Sequence, residues 1–171
     1  MLKSLFVLIL CTTLVVTHSR VIQPNDANTI QQTCSKTPNS ALCIEFLNAD
    51  PNSSTADVNG LAIIMVNVIK SKANVAVNKI NQLNGSIPPD QNEALKSCAD
   101  KYNAILVADV PQAIEALQKG NPKFAVDGAN DAANEANSCE NGFSGKSPLT
   151  AENNVVRDAS AITSAICGLL L

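Results

Sequence analysis

Between residues 55 and 83, apolar side chains recur at intervals of three and four: Val58, Ala62, Met65, Ile69, Ala73, Ala76, Ile80 and Leu83. That spacing puts them on one stripe of a long helix, with Asn67, Lys70, Asn74 and Asn78 on its other faces. Asn84-Gly85 is a stop signal, and Pro88-Pro89 follows. A second helix is predicted over residues 90–118, with Leu95, Cys98, Tyr102, Ile105, Ala113 and Ala116 facing inward. Pro111 interrupts it by removing one backbone donor, which predicts a kink near Asp109. A third helix follows over residues 123–140, with an alanine seam of Ala125, Ala129, Ala132 and Ala136 that continues into Cys139. The last begins with Thr150 as the expected N-cap and Glu152 in its first turn. It buries Val155, Ala159, Ile162, Ile166 and Leu169.

Four long amphipathic helices with short connections predict an all-α, up-down antiparallel bundle over residues 55–171. Ahead of it, residues 27–35 and 40–49 read as two short helices broken at Thr37-Pro38-Asn39. This N-terminal hairpin and a polar linker at residues 50–54 complete one domain spanning residues 20–171. The Val and Ile positions follow helical spacing and not alternation, which argues against strands.

Residues 1–19 stand apart. Lys3 precedes an apolar run from Leu5 to Val16, and Thr17-His18-Ser19 puts small residues at the positions a signal peptidase reads. The run is shorter than the roughly 20 residues that span a bilayer, so it reads as a signal peptide cleaved before Arg20, not as an anchor. No second apolar run of membrane length is apparent, and no membrane partner is expected.

Cleavage removes His18, the only histidine, and with it any imidazole for a general base or metal site. Cys11 also leaves, so Cys34, Cys43, Cys98, Cys139 and Cys167 remain. Export favours disulfides, and the odd count leaves at least one thiol over. A bridge between Cys34 and Cys43 would clamp the hairpin across its break. Cys98 and Cys139 fall on the faces of neighbouring antiparallel helices, and Cys167 reads as a buried apolar residue. No metal or cofactor is expected. The net charge of −3 gives a nucleic-acid partner no electrostatic support.

At this point three stretches resemble one family. Cys34-Ser35-Lys36-Thr37-Pro38-Asn39, closing at Leu42-Cys43, is similar to the opening motif of the plant invertase inhibitor and pectin methylesterase inhibitor family. So are Cys98-Ala99-Asp100-Lys101-Tyr102 and Ser138-Cys139-Glu140-Asn141-Gly142-Phe143. The resemblance implies bridges Cys34–Cys43 and Cys98–Cys139, and a protein without catalytic residues that blocks another enzyme. Pro122-Lys123-Phe124 resembles the Pro-Lys-Phe motif of the invertase-directed branch. It implies insertion into the active site of a cell-wall or vacuolar acid invertase. There Lys123 would meet the paired carboxyl groups of a retaining glycosidase, and Phe124 the sugar platform. Pro122 would limit the freedom lost on docking.

The alternative target is pectin methylesterase, covered by the bundle surface. Taken without the resemblance, Pro122 is only a first-turn proline, Lys123 is solvated and Phe124 belongs to the core. Asp127, Asp131 and Glu135 share one helix face, but a solvated face explains them better than a catalytic site. A ligand-carrying cavity is disfavoured by the alanine seams. Two sequons, at Asn52 and Asn84, are candidate N-glycosylation sites. The expected form is a monomer or weak homodimer secreted to the apoplast, or alternatively delivered to the vacuole.

Overall fold

The computed structural model describes residues 26–171; the segment read as a signal peptide lies outside them. Two short helices, α1 (Asp26–Cys34) and α2 (Ser40–Asn48), form the hairpin. The bundle follows as α3 (Val58–Leu83), α4 (Asn92–Ala104), α5 (Val110–Gln118), α6 (Pro122–Gly142) and α7 (Thr150–Gly168). Helices α4 and α5 are joined without a break, so the bundle has the four long rods the periodicity predicts. No strand occurs among the described residues.

Local chemistry sets most boundaries. The Asn39 side chain accepts from the backbone N–H of Leu42 and starts α2, and Asp57 accepts from Gly60 at 2.7 Å to start α3. The second bundle helix is interrupted as expected, but the form is specific. Residues 105–109 make a π-helical turn in which the N–H of Val110 donates to the carbonyl of Ile105. Pro111 has no N–H, and in a regular α-helix its ring would press on the carbonyl of Val107. The wider turn relieves this and inserts one residue into the helical phase.

Every stripe residue named for α4, α5 and α6 is buried. In α3, Val58 and Leu83 are only half-buried, because they lie at the ends of the rod. By length and hydropathy α3 alone, among the described residues, is long and apolar enough to cross a membrane. Its apolar stripe, from Leu61 to Ile80, forms part of the bundle core.

The last helix departs further from expectation. Thr150 is its first residue and not its cap, and its hydroxyl donates to Glu140 Oε1 at 2.7 Å. Val155 is half-buried and Leu169 exposed, whereas Asn153, Val156, Ser160 and Thr163 face inward. The buried face is thus rotated toward polar residues. Asn153 can lie there because Tyr102 Oη donates to its Oδ1 at 2.7 Å and its own Nδ2 donates to Glu140 Oε2 at 2.6 Å.

Both disulfides are present, Cys34–Cys43 in the hairpin and Cys98–Cys139 between α4 and α6. The Cα atoms of the second pair are 4.7 Å apart, a close approach that the alanine seam allows. Cys167 is free and fully buried, and burial pushes its thiol up to about 11. The linker is more ordered than its polarity suggests. The Asp50 carboxylate accepts from both the backbone N and Nδ2 of Asn52, and Ser53 is buried within a 3₁₀ turn. Phe46 of α2 sits under the Lys72 ammonium of α3, 5.3 Å from the ring centroid, which ties the hairpin to the bundle.

Candidate functional site

The α5–α6 junction begins with a helix end that closes on itself. Gly120 has φ +71°, its N–H donates to the carbonyl of Leu117, and the N–H of Asn121 donates to Ala116 at 2.8 Å. This is the Schellman pattern, which satisfies the last carbonyls of α5 and reverses the chain in very few residues. Pro122 then opens α6, where its fixed φ suits the helix and its missing N–H costs nothing.

Lys123 and Phe124 follow in the first turn of α6. Lys123 is exposed and makes no ion pair among the described residues. Phe124 is 56% exposed, the only phenylalanine among the exposed large hydrophobic residues of the described part. Its backbone is held from two sides: its N–H donates to Asn121, and its carbonyl accepts a long contact of 3.4 Å from Gln112 Nε2. Beside the ring is a shallow depression of about 170 Å³ lined by Gln112, Glu115, Ala116, Lys119 and Asn121. Lys119 and Glu115 form an exposed ion pair there, and the Lys119 hydrogen bond and charge lower the Glu115 pKa. All three motif residues therefore lie at one turn, at one end of the bundle. The flanking Gln112 and the Glu115–Lys119 pair were not singled out from the sequence. Their i, i+4 spacing is visible there, but their proximity to residue 124 requires the fold.

The turn rests on a tight seam. A Cβ on Gly128 would lie 2.7 Å from the carbonyl oxygen of Asp109 and 3.3 Å from Ala113 Cβ, so α6 packs directly on the π turn. Asp109 itself is half-buried, with Oδ2 unpaired. Burial, then the charges of Asp131 and Glu135, push its carboxyl from 3.8 up to about 6. The face carrying Asp127, Asp131 and Glu135 is therefore only partly solvated. Asp127 and Asp131 are exposed, whereas Glu135 is half-buried and paired with Lys101 at 3.3 Å. No cluster of metal-ligating side chains occurs among the described residues.

The sequons sit in different surroundings. Asn52 lies in the hydrogen-bonded linker turn, and Asn84 caps the C-terminus of α3 in an exposed turn.

The architecture is thus a stapled helical hairpin ahead of a bridged four-helix bundle, with Lys123 and Phe124 exposed at the turn between two rods. The chain belongs to the plant invertase/pectin methylesterase inhibitor family, whose profile matches residues 28–166. It is 44% identical over 142 residues to "Cell wall / vacuolar inhibitor of fructosidase 1" of Arabidopsis thaliana, covering 83% of this chain and 69% of that protein. It is 28% identical over 146 residues to a "Pectinesterase inhibitor" of Actinidia deliciosa, covering 84% of this chain and 78% of that one. The fold matches the crystal structure of a mutant pectin methylesterase inhibitor from Arabidopsis with TM-score 0.72 and 21% identity, over 83% of this chain and 97% of that one. These relatives are named as inhibitors and not as enzymes.

Proposed function

We propose that the protein is exported to the cell wall space or vacuole and there blocks an acid invertase by inserting Lys123 and Phe124 into its active site. The observation that carries this reading is the exposed Phe124 ring. Had the ring belonged to the core, as a first-turn reading of the motif requires, it would be buried. It stands in water next to an unpaired ammonium, on a turn fixed by Gly120 and Pro122. A carboxylate-lined sugar pocket suits both groups: the ammonium meets the paired carboxylates, and the ring takes the place of a sugar face. The relative named for fructosidase is the more similar of the two quoted, which favours invertase over pectin methylesterase.

A phenylalanine side chain offers roughly 200 Å², so slightly more than half of it remains to be buried on docking, worth ~2.5 kcal/mol. Phe124→Ala should therefore weaken invertase inhibition by about 100-fold. Adding Lys123→Ala should weaken it further, with helical circular dichroism unchanged. The purified protein and the double variant are to be assayed against an acid invertase and a pectin methylesterase at acidic pH. Undiminished invertase inhibition by the double variant rules out the tip mechanism. Inhibition confined to pectin methylesterase moves the assignment to the other branch.

A further inference from the structure

We infer that Asn84 is the N-glycan acceptor of this protein and that Asn52 stays bare, so the sugar stands at the end of the bundle opposite the tip. The inference rests on the reading of residues 1–19 as a signal that carries the chain into the secretory route.

Both sites satisfy the sequon rule, as Asn52-Ser53-Ser54 and Asn84-Gly85-Ser86. Their folded environments differ. At Asn52 the acceptor nitrogen is already engaged: Nδ2 donates to Asp50 Oδ1 at 2.9 Å, and the backbone N–H donates to the same oxygen at 2.8 Å. The middle residue, Ser53, is 4% exposed, and the hydroxyl of Thr55 turns back toward the carbonyl of Asn52. A sugar there takes one of the two N–H groups on Nδ2 and has to share this hydrogen-bonded turn, at the seam between hairpin and bundle, with the Asp50 carboxylate.

At Asn84 nothing comparable holds the side chain. Its amide has no hydrogen-bond partner among the described residues, and residues 84, 85 and 86 are all exposed. Gly85 has φ +77° with open space where a Cβ would point. Next to it a groove of about 560 Å³ runs between α3 and α4, with Ile80, Leu95 and Ala99 as its apolar wall and Asn81, Asn92 and Lys96 as polar partners. The first sugars can lie there without displacing a side chain.

Topology supplies the functional consequence. Helix α3 has 26 residues and spans ~39 Å, separating the linker turn at its start from Asn84 at its end. The rod from Asn92 to Gln118 begins beside Asn84 and ends at the Pro122 turn. Asn52 therefore shares the end that carries Lys123 and Phe124, and Asn84 is a full bundle length from it. A glycan at Asn84 leaves the tip free to enter a partner.

The transfer uses a lipid-diphosphate-linked oligosaccharide as donor. Nδ2 of Asn84 attacks the anomeric carbon; the C–N bond forms as the C–O bond to the diphosphate breaks. The amide proton passes to a base of the transferring enzyme, and the lipid diphosphate leaves.

The test is intact mass of the full-length chain secreted by plant cells, before and after an amidase that removes N-glycans. One glycan is expected, absent from Asn84→Gln and retained in Asn52→Gln. An unmodified secreted chain, or a glycan that survives Asn84→Gln, overturns the inference. The N-terminal residue, expected to be Arg20, reports on the leader separately. A parallel chain with an unrelated signal in place of residues 1–19 forces entry, so an unmodified Asn84 in that chain overturns the site whatever the fate of the native leader.

Discussion

Replacing Gly128 by alanine sets two effects of opposite sign against each other. Gly128 lies inside α6, where exchange for alanine normally stabilises a helix by ~1 kcal/mol. The added methyl, however, would lie 2.7 Å from the Asp109 carbonyl oxygen and 3.3 Å from Ala113 Cβ. The first of these is backbone, so no rotamer change relieves it; the two rods must move apart by about half an ångström. The disulfide between Cys98 of α4 and Cys139 of α6 resists that movement farther along the same two rods. Overpacking of this kind costs ~1–3 kcal/mol, which after the helix gain leaves a net loss of up to ~2 kcal/mol. Gly142→Ala is the internal control: it is the last residue of α6, and its added methyl meets only Ala94 Cβ, at 3.9 Å. Urea unfolding followed by circular dichroism should show a lower midpoint for the first variant and none for the second. A Gly128→Ala protein that gains the full ~1 kcal/mol of the helix exchange would mean that α6 does not rest on the π turn, and the tip would not be mounted as described.

Other outcomes follow from the same contacts. Tyr102→Phe leaves the buried Asn153 Oδ1 without its donor and should lower stability by ~1–3 kcal/mol in urea unfolding. Replacing Cys98 and Cys139 together with alanine opens a loop spanning 41 positions and should cost about 4 kcal/mol on the chain-entropy estimate, against about 2.7 for the hairpin bridge. Asp109 gives a pH dependence. Its folded pKa, about 6, lies above its ordinary 3.8, so the folded chain binds the extra proton and stability falls as pH rises from about 4 through 6. Asp131 and Glu135 face it from α6, and Lys101 on α4 is paired with Glu135. The carboxyl is half exposed, so screening reduces the effect to ~1 kcal/mol. Asp109→Asn should remove it, read as the difference between wild-type and variant urea midpoints at pH 4.5 and 7.5; a constant difference would count against the assignment.

The stripes of α3, α4 and α6 were legible because each burial decision there is local: an apolar side chain at helical spacing faces the core whatever its partner. The interruption at Pro111 was legible too, but its geometry was not. The inward positions run Tyr102, Ile105, Val110, Ala113, and the step of five between Ile105 and Val110 is the trace of the inserted π residue. A strict α phase would bury residue 109, an aspartate; the extra residue moves it to the edge, where it is half-buried and perturbed. Asn153 was illegible for another reason. Its burial depends on Tyr102, 51 residues away, and on Glu140 across the α6–α7 turn, and a polar residue without a visible partner reads as surface. Thr150 went wrong likewise: the Glu140 carboxylate takes its hydroxyl as a donor, so it does not serve as a cap. Burial tends to raise the Glu140 pKa, but hydrogen bonds from Thr150, Asn153 and Ser147 and the charge of Arg157 lower it overall. At the tip, the sequence carried the motif but not its exposure, since a phenylalanine in the first turn of an alanine-seamed helix has an obvious place inside.

That exposure makes sense once the seam is considered. Ala125, Ala129, Ala132 and Ala136 take the inward positions of α6, so Phe124, one residue before the stripe, lies on the outward side of the first turn. Small side chains bury little area per residue, so the seam contributes less hydrophobic stabilisation than leucines would. The cross-link from α4 to α6 offsets part of that deficit by restricting the unfolded chain. What the seam provides is stiffness: two rods in backbone contact, closed by a Schellman turn and a proline, hold residues 122–124 in one conformation before any partner arrives. In the proposed docking such a turn would lose little chain entropy, and most of the free energy of covering the ring and ammonium would remain available as affinity. The weakly apolar seam and the solvent-exposed phenylalanine are therefore linked through the helix itself, because the packing that fixes the inward face of α6 also fixes the direction of the residue beside it.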